Sequence, residues 1–219
     1  MKGLVIFGAG DIAKLAHHYF TRDARREIVA FTVDRQYRQG DSYLGLPLYA
    51  FDEIQERCPP ATHDLFVAVS YVKMNRVRAE RYEAAKHLGY TLPSYVSPRC
   101  SFLTDAPVGD NCFILEDNTI QPFVEIGSDV TLWSGNHIGH ESVIDDHCFV
   151  SSHVVVAGHV RIRPYCFIGV NATLRDGITI APRTLVGAGA VVTKDTVEDG
   201  VYLPPRAVLS DRKSHEFDL

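Results

Sequence analysis

The chain has 219 residues, a formal net charge of −5, and 46% hydrophobic against 22% charged residues. This is the make-up of an ordinary soluble globular protein, long enough for one large domain or two small ones. The acidic balance argues against nucleic acid as a partner, and no stretch is long and apolar enough to be a membrane helix.

The apolar start, Leu4-Val5-Ile6-Phe7, is too short for a signal peptide. Five cysteines (Cys58, Cys100, Cys112, Cys148 and Cys166) are odd in number and form no CxxC pair, which predicts a reduced, cytoplasmic protein. Residues 2–7 read as a buried strand, followed by Gly8-Ala9-Gly10-Asp11-Ile12-Ala13 and a helix to about Phe20. A second strand, Glu27 to Val33, ends at Asp34. A GxGxxA turn with an acid about twenty positions on is the pattern of a βαβ nucleotide site. Gly8 and Gly10 would let backbone approach a phosphate at the helix N-terminus, while Asp34 would take a ribose or base donor. The competing reading is a plain βα turn capped by Asp11. A strand at Asp64–Val69 and a helix over about Asn75–Leu88, ended by Gly89, complete the segment. It is too short for a full dinucleotide fold, and half of one, holding a mononucleotide, fits. The expected division is 1–93 for this unit, 94–200 for a second domain, and 201–219 for a C-terminal tail.

The second domain is periodic. From Val108, every sixth residue is aliphatic: Ile114, Ile120, Ile126, Leu132, Ile138, Ile144, Val150, Val156, Ile162, Ile168, Leu174, Ile180, Val186 and Val192. The fourth residue after each is usually small, as at Cys112, Ser142, Cys148, Cys166 and Ala172. Neither a helix nor a lone strand has a period of six, but a coil of three short strands does. Residues eighteen apart then stack about 4.8 Å apart. Cys112, Cys148 and Cys166 share one inward column, as buried thiols rather than a disulfide. Asn118 and Asn136 share another, where the two amides are expected to bond to each other.

Five histidines (His137, His140, His147, His153 and His159) lie within this segment, none at an inward position. Acyl transfer from a thioester needs a base of near-neutral pKa, a carboxylate to orient it, and N–H donors for the oxyanion. His140-Glu141 supplies the first two side chains. His137 reads as a turn residue near that base, His147 and His153 as solvated or interfacial, and His159 as a surface residue or a second partner of Glu141.

The hexad pattern resembles the hexapeptide-repeat acyltransferases, which implies a left-handed parallel β-helix. The whole arrangement resembles the sialic acid O-acetyltransferase-type sugar acyltransferases, a group that includes N-acetyltransferases of UDP-linked 4-amino sugars. The resemblance implies His140 as base and Glu141 as its orienting acid. It assigns the oxyanion N–H to Gly158 and the acyl-CoA arm to the turn at Gly187 and Ala188. Gly8, Gly10 and Asp34 would hold the nucleotide, with His137 and Trp133 as further substrate contacts. It also implies acetyl-CoA as donor, a nucleotide-linked sugar as acceptor, a homotrimer and no metal. The chain departs from the pattern at Phe149, where relatives often have histidine, at Pro204-Pro205-Arg206-Ala207, and at Trp133. Trp133 would either stack on a sugar or base or cover a subunit seam. Amino and hydroxyl acceptors both stay open. A γ-type carbonic anhydrase needs two histidines five apart, a spacing absent here. A non-catalytic nucleotide-binding trimer is the remaining alternative.

Overall fold

The computed structural model describes residues 2–216. Its first part is a five-stranded sheet: β1 (Gly3–Phe7), α1 (Asp11–Arg22), β2 (Ile28–Val33), β3 (Ser42–Tyr43), β4 (Leu46–Ala50), α2 (Ile54–Arg57), β5 (His63–Val67) and α3 (Arg76–His87). The strand order is β3-β4-β2-β1-β5, parallel except for β3. The β3–β4 pair, which the pattern of residues did not disclose, turns at Leu44-Gly45, both with positive φ. One face of the sheet packs Leu4, Ile6 and Phe66 against Ala13, Ala16 and Phe20 of α1, and the other packs Val5, Leu65 and Val67 against Tyr82 and Ala85 of α3.

From Tyr95 on, the chain is a triangular coil of two-residue strands, each paired in parallel with the strand eighteen residues on. Thr131 pairs with Phe149, His137 with Val155, and Val143 with Arg161. The three walls are sheets of seven, six and four strands. The sixth-residue aliphatics from Ile114 to Val192 point inward and form one core. Each hexad turns a corner through a left-handed residue: Asn111, Asp117, Phe123, Asp129, Gly135, Glu141, His147, His153 and His159 succeed one another at that spacing. Non-glycine residues are costly there, so the packing of the rungs, not local preference, holds these turns. The last rung shortens the repeat: Val201–Tyr202, placed in the tail by the sequence pattern, pairs with Leu185–Val186 sixteen residues earlier.

The thiols of the inward column are free. Cys148 Sγ bonds to Arg163 O and Cys166 Sγ to Ala181 O, both at 3.1 Å. Burial pushes the Cys148 thiol well above its ordinary pKa. The asparagine column differs from expectation. Asn118 and Asn136 do not pair their amides; each carbonyl accepts a backbone N–H from the next rung, and each NH₂ donates to Trp133 O. Backbone groups at a corner are nearer than the neighbouring side chain, so they are satisfied first.

The seven-stranded wall carries the α/β unit. Its outward residues Tyr95 and Phe113 are buried with the α1 side of the sheet, and Phe149 is buried as well. Beside them lies a polar clasp. Arg78 of α3 donates to Asp129 O and Cys148 O and pairs with the Asp129 carboxylate at 3.1 Å. The same side chain of Asp129 accepts from Asn111 Nδ2 at 2.7 Å and meets His147 Nδ1 at 2.9 Å. His147 is thus buried against the α/β unit, not solvated, because Asp129 one rung below supplies its partner.

Candidate functional site

A cavity of about 770 Å³ opens where the α/β unit meets the coil. Gly8, Gly10, Asp34 and Trp133, read separately from the sequence, all line it. Gly8 has φ +128°, and a Cβ there would stand 2.6 Å from Ala68 O, so only glycine fits the turn. A Cβ at Gly10 would meet nothing within 4 Å, which leaves open space before the first turn of α1. The N-cap of α1 is Gly10, with no side-chain cap hydrogen bond, and Asp11 stands in the first turn rather than as its cap. Asp34 is held by Arg81 of α3, Nε to Oδ2 3.3 Å. Sequence reasoning missed Arg81 and Tyr71. Neither carries a local motif: Arg81 reaches Asp34, and Tyr71 the cavity, only through the packing of the β5–α3 segment.

The second locus is on another edge of the prism. His140 and Glu141 come directly after the strand His137–Ile138 of the six-stranded wall, and Gly158 and His159 stack one rung above them. His140 Nδ1 lies 3.1 Å from Glu141 Oε2, and His159 Nε2 lies 2.9 Å from the same oxygen. Glu141 therefore orients two imidazoles whose rings cross at 87°. With Nδ1–H donating to Glu141, Nε2 of His140 carries the free lone pair. The ring lies over Gly158: a Cβ there would be 2.8 Å from His140 Cε1 and Nε2. All three side chains are about half exposed, so the edge is open to a ligand. His140, Glu141 and His159 offer ligand atoms within 4.8 Å of one another, a set that can also take a divalent cation.

Other expectations fare differently. His137 is a half-buried strand residue, not a turn residue, paired between Thr119 and Val155. Gly187 and Ala188 extend from the seven-stranded wall, as Trp133 does three rungs below, so one chain does not bring them to the His140 edge. The Gly187 N–H is already bonded to Tyr202 O at 2.7 Å, which leaves exposed Ala188 as the accessible part of that turn. Phe149 packs on Tyr71, which lines the cavity, and on Phe167, on a different wall from the His140 edge. Pro204-Pro205-Arg206-Ala207 runs without regular structure beyond the last rung.

Residues 123–158 match the family described as bacterial transferase hexapeptide (six repeats). An acyl-[acyl-carrier-protein]–UDP-N-acetylglucosamine O-acyltransferase from Nautilia profundicola is 27% identical over 99 residues, 42% of this chain and 38% of the relative. A UDP-3-O-acylglucosamine N-acyltransferase from Delftia acidovorans is 29% identical over 45% of this chain and 29% of its own length. The chain thus spans well under half of each of these relatives. Two solved structures align along nearly the whole chain. PerB from Caulobacter crescentus, in complex with CoA and GDP-perosamine, has a TM-score of 0.81 at 23% identity, covering 93% of this chain and 95% of that one. The acetyltransferase domain of PglB from Neisseria gonorrhoeae has a TM-score of 0.82 at 22% identity, covering 93% and 97%. At that identity the likeness speaks for the fold. The coil is a left-handed parallel β-helix of hexapeptide repeats, preceded by a short Rossmann-like unit.

Proposed function

We propose that the protein transfers an acetyl group from acetyl-CoA to the amino group of a nucleotide-linked amino sugar. The observation that carries this reading is the His140 ring, oriented by Glu141 and lying over Gly158 on an open edge. In the reaction the amine nitrogen attacks the thioester carbonyl, and His140 Nε2 takes the amine proton. The Gly158 N–H stabilises the oxyanion. The C–S bond then breaks, and the proton passes to the departing CoA thiolate. No metal enters these steps. The compartment is the cytoplasm, where acetyl-CoA and reduced thiols coincide.

The nucleotide would occupy the cavity, with phosphates at the Gly8–Gly10 turn and the ribose or base near Asp34. PerB was solved with CoA and GDP-perosamine together, which supports a sugar nucleotide as acceptor. Cavity and base lie on different edges of one prism, so a complete site needs the cavity of one copy against the His140 edge of another. A homotrimer closes that arrangement around a threefold axis, and Ala188 of a neighbour then reaches the acyl-CoA arm.

The test is CoA release from acetyl-CoA against UDP-, dTDP-, GDP- and CMP-linked sugars, with and without a 3- or 4-amino group. Release with an amino sugar is the expected result. Release only with hydroxyl acceptors would make the enzyme an O-acetyltransferase, and none with any acceptor would overturn the reading. Gly158→Ala is a second check. Its Cβ must push the imidazole off its place, and a shift of about 1 Å costs on the order of 100-fold in turnover. Unchanged turnover would remove Gly158 from the site.

A further inference from the structure

The segment between β5 and α3 is the most strained in the molecule. Lys73, Met74 and Asn75 are consecutive non-glycine residues in the left-handed region, with φ of 51°, 53° and 64°. Elsewhere among the described residues such conformations occur singly, at loop turns or coil corners. Strain of this kind persists only where the surroundings over-determine it. Here two anchors do so. Asn75, fully buried, donates from Nδ2 to Cys166 O at 3.1 Å. One turn along α3, Arg78 donates to Asp129 O and Cys148 O. Three successive rungs of the coil thereby hold one end of the segment.

The other end forms cavity wall. Val69, Ser70 and Tyr71 line it, facing the Gly8–Gly10 turn, and Trp133 lines it from the coil side. The Tyr71 ring packs against Phe149 and Phe167, with centroids 5.0 and 4.7 Å away, yet the residue stays 50% exposed. An aromatic ring fixed from behind, with its other side open to a cavity, is a stacking platform. The Gly turn and Asp34 account for phosphate and nucleoside. Tyr71 and Trp133 are left at the coil end, where the remainder of the ligand must emerge.

We infer that Tyr71, with Trp133, forms the subsite for the pyranose ring of the nucleotide-linked sugar, and that Asn75 is the positioning residue that holds the strained turn behind it. This rests on the nucleotide-sugar reading of the cavity. The apolar face of a sugar ring would lie on the aromatic platform and direct its amino group outward, toward the neighbouring copy's base.

The experiment is calorimetric titration of the full chain with a nucleoside diphosphate and with its sugar conjugate, using UDP, GDP, UDP-N-acetylglucosamine, GDP-mannose and the corresponding amino sugars. In the wild type a conjugate is expected to bind more tightly than its own diphosphate. Tyr71→Ala is expected to weaken the conjugate about three- to tenfold, leave the diphosphate and acetyl-CoA unchanged, and be rescued by Tyr71→Phe. Asn75→Gly keeps the left-handed backbone without strain but removes the anchor, and should show the same selective loss. Equal loss for diphosphate and conjugate would make Tyr71 a nucleotide contact and overturn the subsite, as would no loss at all. A wild type that binds neither class would overturn the nucleotide-sugar reading itself, a result separate from failure of Tyr71 alone.

Discussion

His140→Ala is expected to lower the turnover number about 10²- to 10⁴-fold, the span of a lost general base. KM for acetyl-CoA and affinity for the nucleotide sugar should change little, because a general base acts on the proton that leaves in the transition state rather than on ground-state binding. Glu141→Gln should fall between the two enzymes. An amide still accepts from Nδ1–H but supplies no charge to stabilise the imidazolium. His159→Ala separates orientation from chemistry. Its Nε2 meets the same carboxylate oxygen as His140 Nδ1, so its loss frees Glu141 to rotate without removing the base. A modest fall in turnover with an unchanged acceptor KM is expected. Steady-state rates with saturating amino-sugar substrate check all three. If His140→Ala keeps a third or more of the activity with the fold intact, the base lies elsewhere.

The parts of this site that were legible in the sequence are those set by short-range repetition. A period of six places every inward aliphatic of the coil and, with eighteen-residue stacking, brings Gly158 and His159 above His140 and Glu141. The Gly8–Gly10 turn and Asp34 were legible because a βα crossover constrains them within one thirty-residue unit. The features that stayed hidden depend on how the unit docks. Arg78 reads as one more cation on a charged helix, yet it is almost fully buried, because its partners Asp129, Cys148 O and Asp129 O lie more than fifty residues away. His147 looked like its outward neighbours for the same reason: the corner it occupies is covered by α3 only in the folded chain. Tyr71 carried no signal because its role comes from Phe149 and Phe167 behind it. The departure at Phe149 was legible as a residue but not as a function. It backs Tyr71 in the cavity wall and lies on a different wall from the His140 edge.

Arg78→Met is expected to destabilise the docking of the α/β unit by about 3–5 kcal/mol, since it strands the Asp129 carboxylate with no exposed surface. His147 and Asn111 still reach that carboxylate, but neither brings a permanent charge. Asp129→Asn should cost a similar amount, because it leaves the buried Arg78 guanidinium without its counter-charge, bonded only to Asp129 O and Cys148 O. The double variant should recover part of the loss, as a buried pair removed together leaves no lone charge. The coil should be spared, for its rungs are held by their own ladder bonds and aliphatic core. Thermal unfolding of Arg78→Met should therefore split into an early transition of the α/β unit and a late one of the coil, where the parent is expected to unfold in one. Calorimetry with limited proteolysis checks this. A single transition at the parent temperature would mean that the aromatic contacts of Tyr95, Phe113 and Phe149 suffice and the clasp is dispensable. The early transition has a consequence for binding. The cavity takes Trp133 from one unit and Gly8, Asp34 and Tyr71 from the other, so nucleotide affinity should be lost with the docking while the His140–Glu141 edge stays formed.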